Sequence, residues 1–161
     1  MKSRIEYAKA SPAASRAMYG LTQYVHQSGL EVSLLNLVNM RASQINGCAY
    51  CLDMHWKDAK AAGETDQRLY SLDAWRETPY YSDRERAALA WTDAVTKITE
   101  GHVPDELFEE VRRHFNEKEL VDLSLAVVAI NGWNRLAISF RAEPGTYQPA
   151  KQAEPLLKKG A

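Results

Sequence analysis

The two cysteines of this chain stand in one short stretch, Cys48-Ala49-Tyr50-Cys51-Leu52-Asp53-Met54-His55. Two thiols separated by two residues can close a small disulfide and open it again. A histidine four positions after the second thiol can take or give the proton that this chemistry requires. On a helix turning about 100° per residue, Cys48, Cys51 and His55 share one stripe roughly 60° wide. Asp53 and Lys57 fall elsewhere. Asn46-Gly47 breaks the preceding run, which puts Cys48 in the first turn of a new helix. There the free backbone N–H groups and the helix dipole favour a thiolate. His55, one turn beyond Cys51, is placed to act as its base or to hold a water that does. A thiol with a pKa of about 8.5 is only slightly ionised at neutral pH, so even a modest depression raises its reactivity. Thiolate attack on a peroxide gives a sulfenic acid, which condenses with a second thiol to a disulfide. The stretch therefore predicts a thiol redox enzyme of the peroxidase type.

Two plainer readings compete with this one. A structural zinc site usually needs four ligands, and the chain has only two cysteines and no second Cys-X-X-Cys. His55 could be a third ligand, but a fourth would have to come from His26, His102, His114 or a carboxylate. The cysteines could also be inert and buried, as free cysteines often are. The aligned histidine and the glycine just before the pair favour reactivity. His26, His102 and His114 are scattered and read as surface or cap residues.

The elements that must position this stretch are helical nearly throughout. Ser11-Pro12 is a start signal, and Met18, Leu21, Tyr24 and Val25 recur at helical spacing until Gly29. A second helix is expected from about Glu31 to Gln44, with Leu34, Leu35, Leu37, Val38 and Met40 apolar on most sides. A third runs from about Cys48 to Ala62 and stops at Gly63. A shorter segment spans Asp66 to Trp75. Ser82-Asp83-Arg84-Glu85 has the form of a capping box and opens a helix through Val95. Pro104 starts another, with Leu107, Phe108, Val111 and Phe115 on one face. Asn116 leads into the last long helix, whose Leu120, Leu123, Leu125, Val127, Val128 and Ile130 suit a core or an oligomer interface. Beyond Phe140 the pattern collapses, and Pro144-Gly145, Pro149 and Pro155 punctuate an arm or tail.

At 161 residues, with 45% hydrophobic and 25% charged residues, the chain reads as one all-α domain over 1–147 with a C-terminal arm or tail at 148–161. A net charge of -1 argues against nucleic acid as a partner. No leader with an apolar core is visible, and no apolar run approaches the roughly 20 residues that span a bilayer. A cytoplasmic protein with no membrane partner is expected. There a Cys-X-X-Cys is more often catalytic or metal-binding than structural.

Residues 38–55, Val-Asn-Met-Arg-Ala-Ser-Gln-Ile-Asn-Gly-Cys-Ala-Tyr-Cys-Leu-Asp-Met-His, resemble the core motif of the carboxymuconolactone decarboxylase-like superfamily, in its AhpD-like alkylhydroperoxidase branch. Ser82-Asp83-Arg84-Glu85-Arg86-Ala87-Ala88-Leu89 and Asn131-Gly132-Trp133-Asn134-Arg135-Leu136 resemble later segments of that branch. The resemblance spans about residues 15–147. It implies an all-helical, AhpD-like domain that assembles as a homotrimer or homohexamer. It also implies reduction of alkyl hydroperoxides, with electrons from a dithiol donor such as a lipoyl or thioredoxin-like protein. By motif, Cys51 would attack the peroxide, and Cys48, the more exposed partner, would resolve the sulfenic acid. His55 would belong to the proton relay. No metal, flavin or other cofactor is implied. The helix dipole alone favours Cys48 as the lower-pKa thiol, whereas the resemblance and the nearness of His55 along the helix favour attack by Cys51.

One position departs from the family pattern. A relay glutamate usually precedes the first cysteine by twelve residues, and here that residue is Asn36. An amide can hydrogen-bond an imidazole but cannot take its proton. Asn36 and Glu85, a carboxylate that opens a later helix, are the two candidates for the relay. Two alternatives remain beside the peroxidase reading. One is a lactone decarboxylase like the superfamily's namesake, a branch that does not depend on the cysteine pair. The other is a redox-sensing or zinc-clipped helical oligomer without catalysis.

Overall fold

In the computed structural model, residues 2–149 are described. The chain starts with a short turn of helix, α1 (Tyr7–Ala10), and then α2 (Pro12–Gln27), which opens on Pro12 in its first turn. A missing N–H costs nothing at that position. Next come α3 (Val32–Asn46), α4 (Ala49–Ala61) and α5 (Asp66–Tyr70), followed by a 3-10 turn over Ser71–Glu77. Then follow α6 (Asp83–Thr96), α7 (Ile98–Gly101), α8 (Asp105–Arg112) and α9 (Glu117–Phe140). No strand occurs among the described residues. The expected tail at 148–161 lies outside them, save for residues 148 and 149.

The helix starts are chemical as well as periodic. Ser82 and Glu85 close a full capping box on α6, and Asn116 and Glu119 close another on α9. Each satisfies two backbone donors that the helix itself cannot. The expected segment from Asp66 to Trp75 is divided between α5 and the 3-10 turn, and Ala74 leaves helical geometry inside that turn.

Helix α3 is the hub, packed against α4, α6 and α9. Its Leu35 and Val38 face one core cluster with Val25, Ala88, Val111, Phe115, Leu123 and Val127. Its Leu37 and Met40 face another with Leu69, Leu72, Trp75, Tyr81 and Leu89. Apolar residues all round α3 are thus explained by burial on two sides. Phe108 does not share the buried face of α8; it is 40% exposed. Helix α9, 24 residues long, is the one described helix long and apolar enough to cross a bilayer. It packs here along α2, α3 and α6. A third, smaller cluster holds Ala42, Cys48, Cys51, Ile130 and Ala137 where α3, α4 and α9 meet.

Candidate active site around Cys51

The turn between α3 and α4 sets the position of both sulfurs. Gly47 takes the left-handed conformation, φ 67°, which only glycine adopts without strain. The Cys48 N–H then bonds the Ser43 carbonyl at 3.0 Å and the Gly47 N–H bonds the Gln44 carbonyl at 3.1 Å. This pair of bonds is a Schellman closure. Asn46 is held by α9: its side-chain amide donates to Asn131 Oδ1 at 2.9 Å and Asn134 Oδ1 at 2.8 Å. Asn134, fully buried, donates in turn to Ser43 Oγ at 3.1 Å.

Cys48 is the N-cap residue of α4, and its Sγ accepts the Cys51 N–H at 3.4 Å. It occupies the place usually taken by a serine or aspartate oxygen. Cys48 and Cys51 are joined as a disulfide, with Cα atoms 5.4 Å apart. Both residues are 1% exposed, so Cys48 is not the more exposed of the two. The α3 and α9 residues of the third cluster cover them, and the return of the chain after α9 adds to that cover. Ala142 packs on the cysteine cluster. The Gly145 N–H donates to Asp53 at 3.0 Å, Lys57 donates to the Tyr147 carbonyl at 3.0 Å, and the Tyr147 hydroxyl donates to Asp58 at 2.6 Å. Residues 142–147 are therefore strapped along α4.

Cys51 and His55 open onto the same cavity, of about 140 Å³, between α2, α4 and α9; Cys48 does not line it. Its walls are mainly apolar and aromatic, with Tyr19, Tyr50 and Trp133 prominent. Asn39 and His26 are its other polar features of note, and no Asp, Glu, Lys or Arg lines it. The His55 side chain is 13% exposed, and its Nδ1 lies 4.0 Å from Asp58 Oδ2, beyond hydrogen-bond range. Burial first, and then the neighbouring His26, push the His55 imidazolium down to about 4. His55 is thus a neutral imidazole at physiological pH. Burial likewise holds the Tyr7 and Tyr50 phenols above their ordinary value.

The two relay candidates lie elsewhere. Asn36 is buried in α3, 7% exposed, and does not line the cavity; Asn39, one turn on, does. Glu85 is tied to Arg68 at 2.6 Å and to the Ser82 backbone at 2.8 Å, at the start of α6. Trp75, Tyr80 and Tyr81 belong to the second core cluster, away from the cysteines. His26 is exposed on one side, as its scattered position suggests, yet it also lines the cavity. The spacing of Tyr19, Thr22 and His26 on one stripe of α2 is the signal that could have placed it there.

Fold and site define an all-helical protein with a disulfide-bonded cysteine pair at the start of a helix and a histidine beside it on an apolar cavity. A family model, that of the carboxymuconolactone decarboxylase family, matches residues 12–94. The uncharacterized protein YdfG of Bacillus subtilis is 42% identical over 139 residues, which cover 86% of this chain and 95% of YdfG. A crystal structure from Agrobacterium tumefaciens, of a protein of unknown function suggested to be the antioxidant defence protein AhpD, superposes with a TM-score of 0.88. It is 48% identical and covers 91% of this chain and 100% of that one. The debrominase Bmp8 shares the fold, with a TM-score of 0.77 at 20% identity over 86% of this chain and 74% of its own. This chain belongs to the carboxymuconolactone decarboxylase family, in its AhpD-like branch.

Proposed function

We propose that this protein is a thiol-dependent peroxidase that reduces organic hydroperoxides through a Cys48–Cys51 dithiol–disulfide couple. The observation that carries this reading is the shared cavity. Of the two cysteines, only Cys51 lines the space where a substrate fits, and His55 lines it too. Neutral His55 takes the Cys51 proton. The thiolate then attacks the hydroxyl oxygen of ROOH, the O–O bond breaks, and Cys51–SOH and ROH form. Cys48, already at bonding distance, condenses with the sulfenic acid and releases water. A dithiol donor, of lipoyl or thioredoxin type, reduces the disulfide by exchange. The couple needs no metal or flavin of its own. We take the working form to be a homo-oligomer, trimer or hexamer, in the cytoplasm.

The test counts free thiols. Reduced protein, freed of reductant, receives one equivalent of an organic hydroperoxide. Loss of two thiols per chain is expected, and Cys51→Ser should abolish it. Two accessible thiols that survive the peroxide would sink the reading and favour disulfide exchange or lactone chemistry instead. A lactone decarboxylase would keep its activity in Cys51→Ser.

A further inference from the structure

Cys51 is 1% exposed and lines the cavity, so a hydroperoxide that meets it brings its organic group into that space. The volume of about 140 Å³ is close to the roughly 150 Å³ of an engineered apolar cavity that holds benzene. A ring-sized group therefore fills it. We propose that this site takes hydroperoxides with a compact, uncharged organic group and rejects those that carry a carboxylate close to the peroxide. The inference rests on the peroxidase reading and adds to it a rule for the substrate.

The wall supplies apolar contact and no counter-charge. Tyr19 and Trp133 stand with ring centroids 4.9 Å apart, tilted by 54°, and Tyr7 lies 6.4 Å from Trp133. Tilted rings present both faces and edges to an apolar guest. Leu35, Ala126 and Ile130 belong to the same surface. The Thr22 hydroxyl is committed, donating to the Met18 carbonyl at 3.1 Å and accepting the Trp133 indole N–H at 2.9 Å. Asn39 offers an amide, which hydrogen-bonds without carrying charge. His55 is a neutral imidazole. Lys57, two residues beyond it, is held by Asp53 at 2.9 Å and by the Tyr147 carbonyl at 3.0 Å. Beside His55 the charge is negative, with Asp58 Oδ2 4.0 Å from Nδ1.

A carboxylate placed here would lose its water and gain no ion partner, which costs far more than burying an apolar group of the same size. It would also face the Cys51 thiolate that makes the attack. Two like charges repel strongly in a site of low dielectric. An amide of the same shape carries neither charge penalty. The chemistry is the same for both, Cys51–SH + ROOH → Cys51–SOH + ROH. Sulfur is oxidised, the O–O bond breaks, and the alkoxide takes up a proton in place of the one the thiol gave. The selection lies in what R carries.

The hydroperoxides 3-hydroperoxy-3-methylbutanoate and its amide differ in charge and hardly in shape. Thiol loss from the reduced protein is followed in a single turnover with each, at pH 8, where imidazoles in water are uncharged. Each rate is divided by that of dithiothreitol with the same hydroperoxide, which removes differences in intrinsic reactivity. On this scale the amide should react about 100-fold faster than the acid. Tyr19→Lys puts a cation on the wall at a residue that is 60% exposed. It should narrow the ratio about fivefold, and Met54→Lys, on the same cavity, stands in should Tyr19→Lys fail to fold. A wild-type ratio below about tenfold, or a ratio that the added lysine leaves unchanged, would overturn the proposal and leave the peroxidase reading intact. A wild-type protein inert to acid, amide and tert-butyl hydroperoxide alike, its thiols free, would overturn the peroxidase reading and this inference with it.

Discussion

His55 carries a charge problem that can be measured without any substrate. Folding places its imidazole in a site that lowers its pKa to about 4, chiefly by burial, against roughly 6.5 for an exposed histidine. Above pH 6.5 neither the folded nor the unfolded chain protonates it, and its contribution to pH-dependent stability is nil. As the pH falls below 6.5 the unfolded chain gains a proton that the folded chain refuses. Stability is therefore lost on acidification, down to about pH 4, by about 3 kcal/mol in full. Urea unfolding at pH 7 and pH 4.5 should show this loss in the wild type. His55→Gln should lose about 2 kcal/mol less over the same interval. Equal losses in the two proteins would mean that His55 is protonated in the folded state. That result would also remove its role as a neutral base for Cys51.

At the scale of elements, the decisive joint is the turn that ends α3 and starts α4. Gly47 has open space where a Cβ would go, so its constraint is conformational and not steric crowding. Gly20, inside α2, also has open space but has ordinary helical geometry. The same substitution should act with opposite sign at the two sites. Gly47→Ala should destabilise by about 1–2 kcal/mol, the cost of an L-residue in the left-handed region. Gly20→Ala should stabilise by up to about 1 kcal/mol. Urea midpoints with unchanged m-values would measure both, and loss of the sign difference would mean the turn relaxes. This joint was legible because its signals are local: a glycine to stop one helix, and apolar residues at helical spacing on either side. The starts of α2, α6 and α9 were legible for the same reason. Helices α1 and α7, four residues each, are too short to show a period. The role of Cys48 as a cap was hidden because sulfur is not among the usual capping atoms.

At the scale of the molecule, the cavity is made of residues far apart in sequence. Tyr7, Tyr19 and His26 meet Cys51 and His55 only because α2 and α9 pack beside α4. A helical stripe can be read along one element, but its partner cannot, which is why the cysteine face was legible and the wall opposite it was not. The burial of Cys48 has the same origin. Ala42, Ile130 and Ala137 surround it, and Ala142 adds cover from residues 142–147, which show no helical period and prove to be tied to α4 at Asp53, Lys57 and Asp58. A reductant must reach a sulfur of the disulfide, and both cysteines are closed to solvent in the strapped state. If the strap must open, its anchors set how often the disulfide is accessible. The Tyr147 hydroxyl is one such anchor. Burial, and then its hydrogen bond to Asp58, raise Tyr147 to about 12, so it remains a donor across the working pH range. Tyr147→Phe removes that bond and keeps the ring. A loss of about 1 kcal/mol in the closed state would raise the open fraction roughly fivefold. Reduction of the oxidised protein by dithiothreitol, followed as thiol release, should accelerate by that factor at pH 7. An unchanged rate in a folded variant would mean that the reductant enters through the cavity to Cys51 and leaves the strap in place.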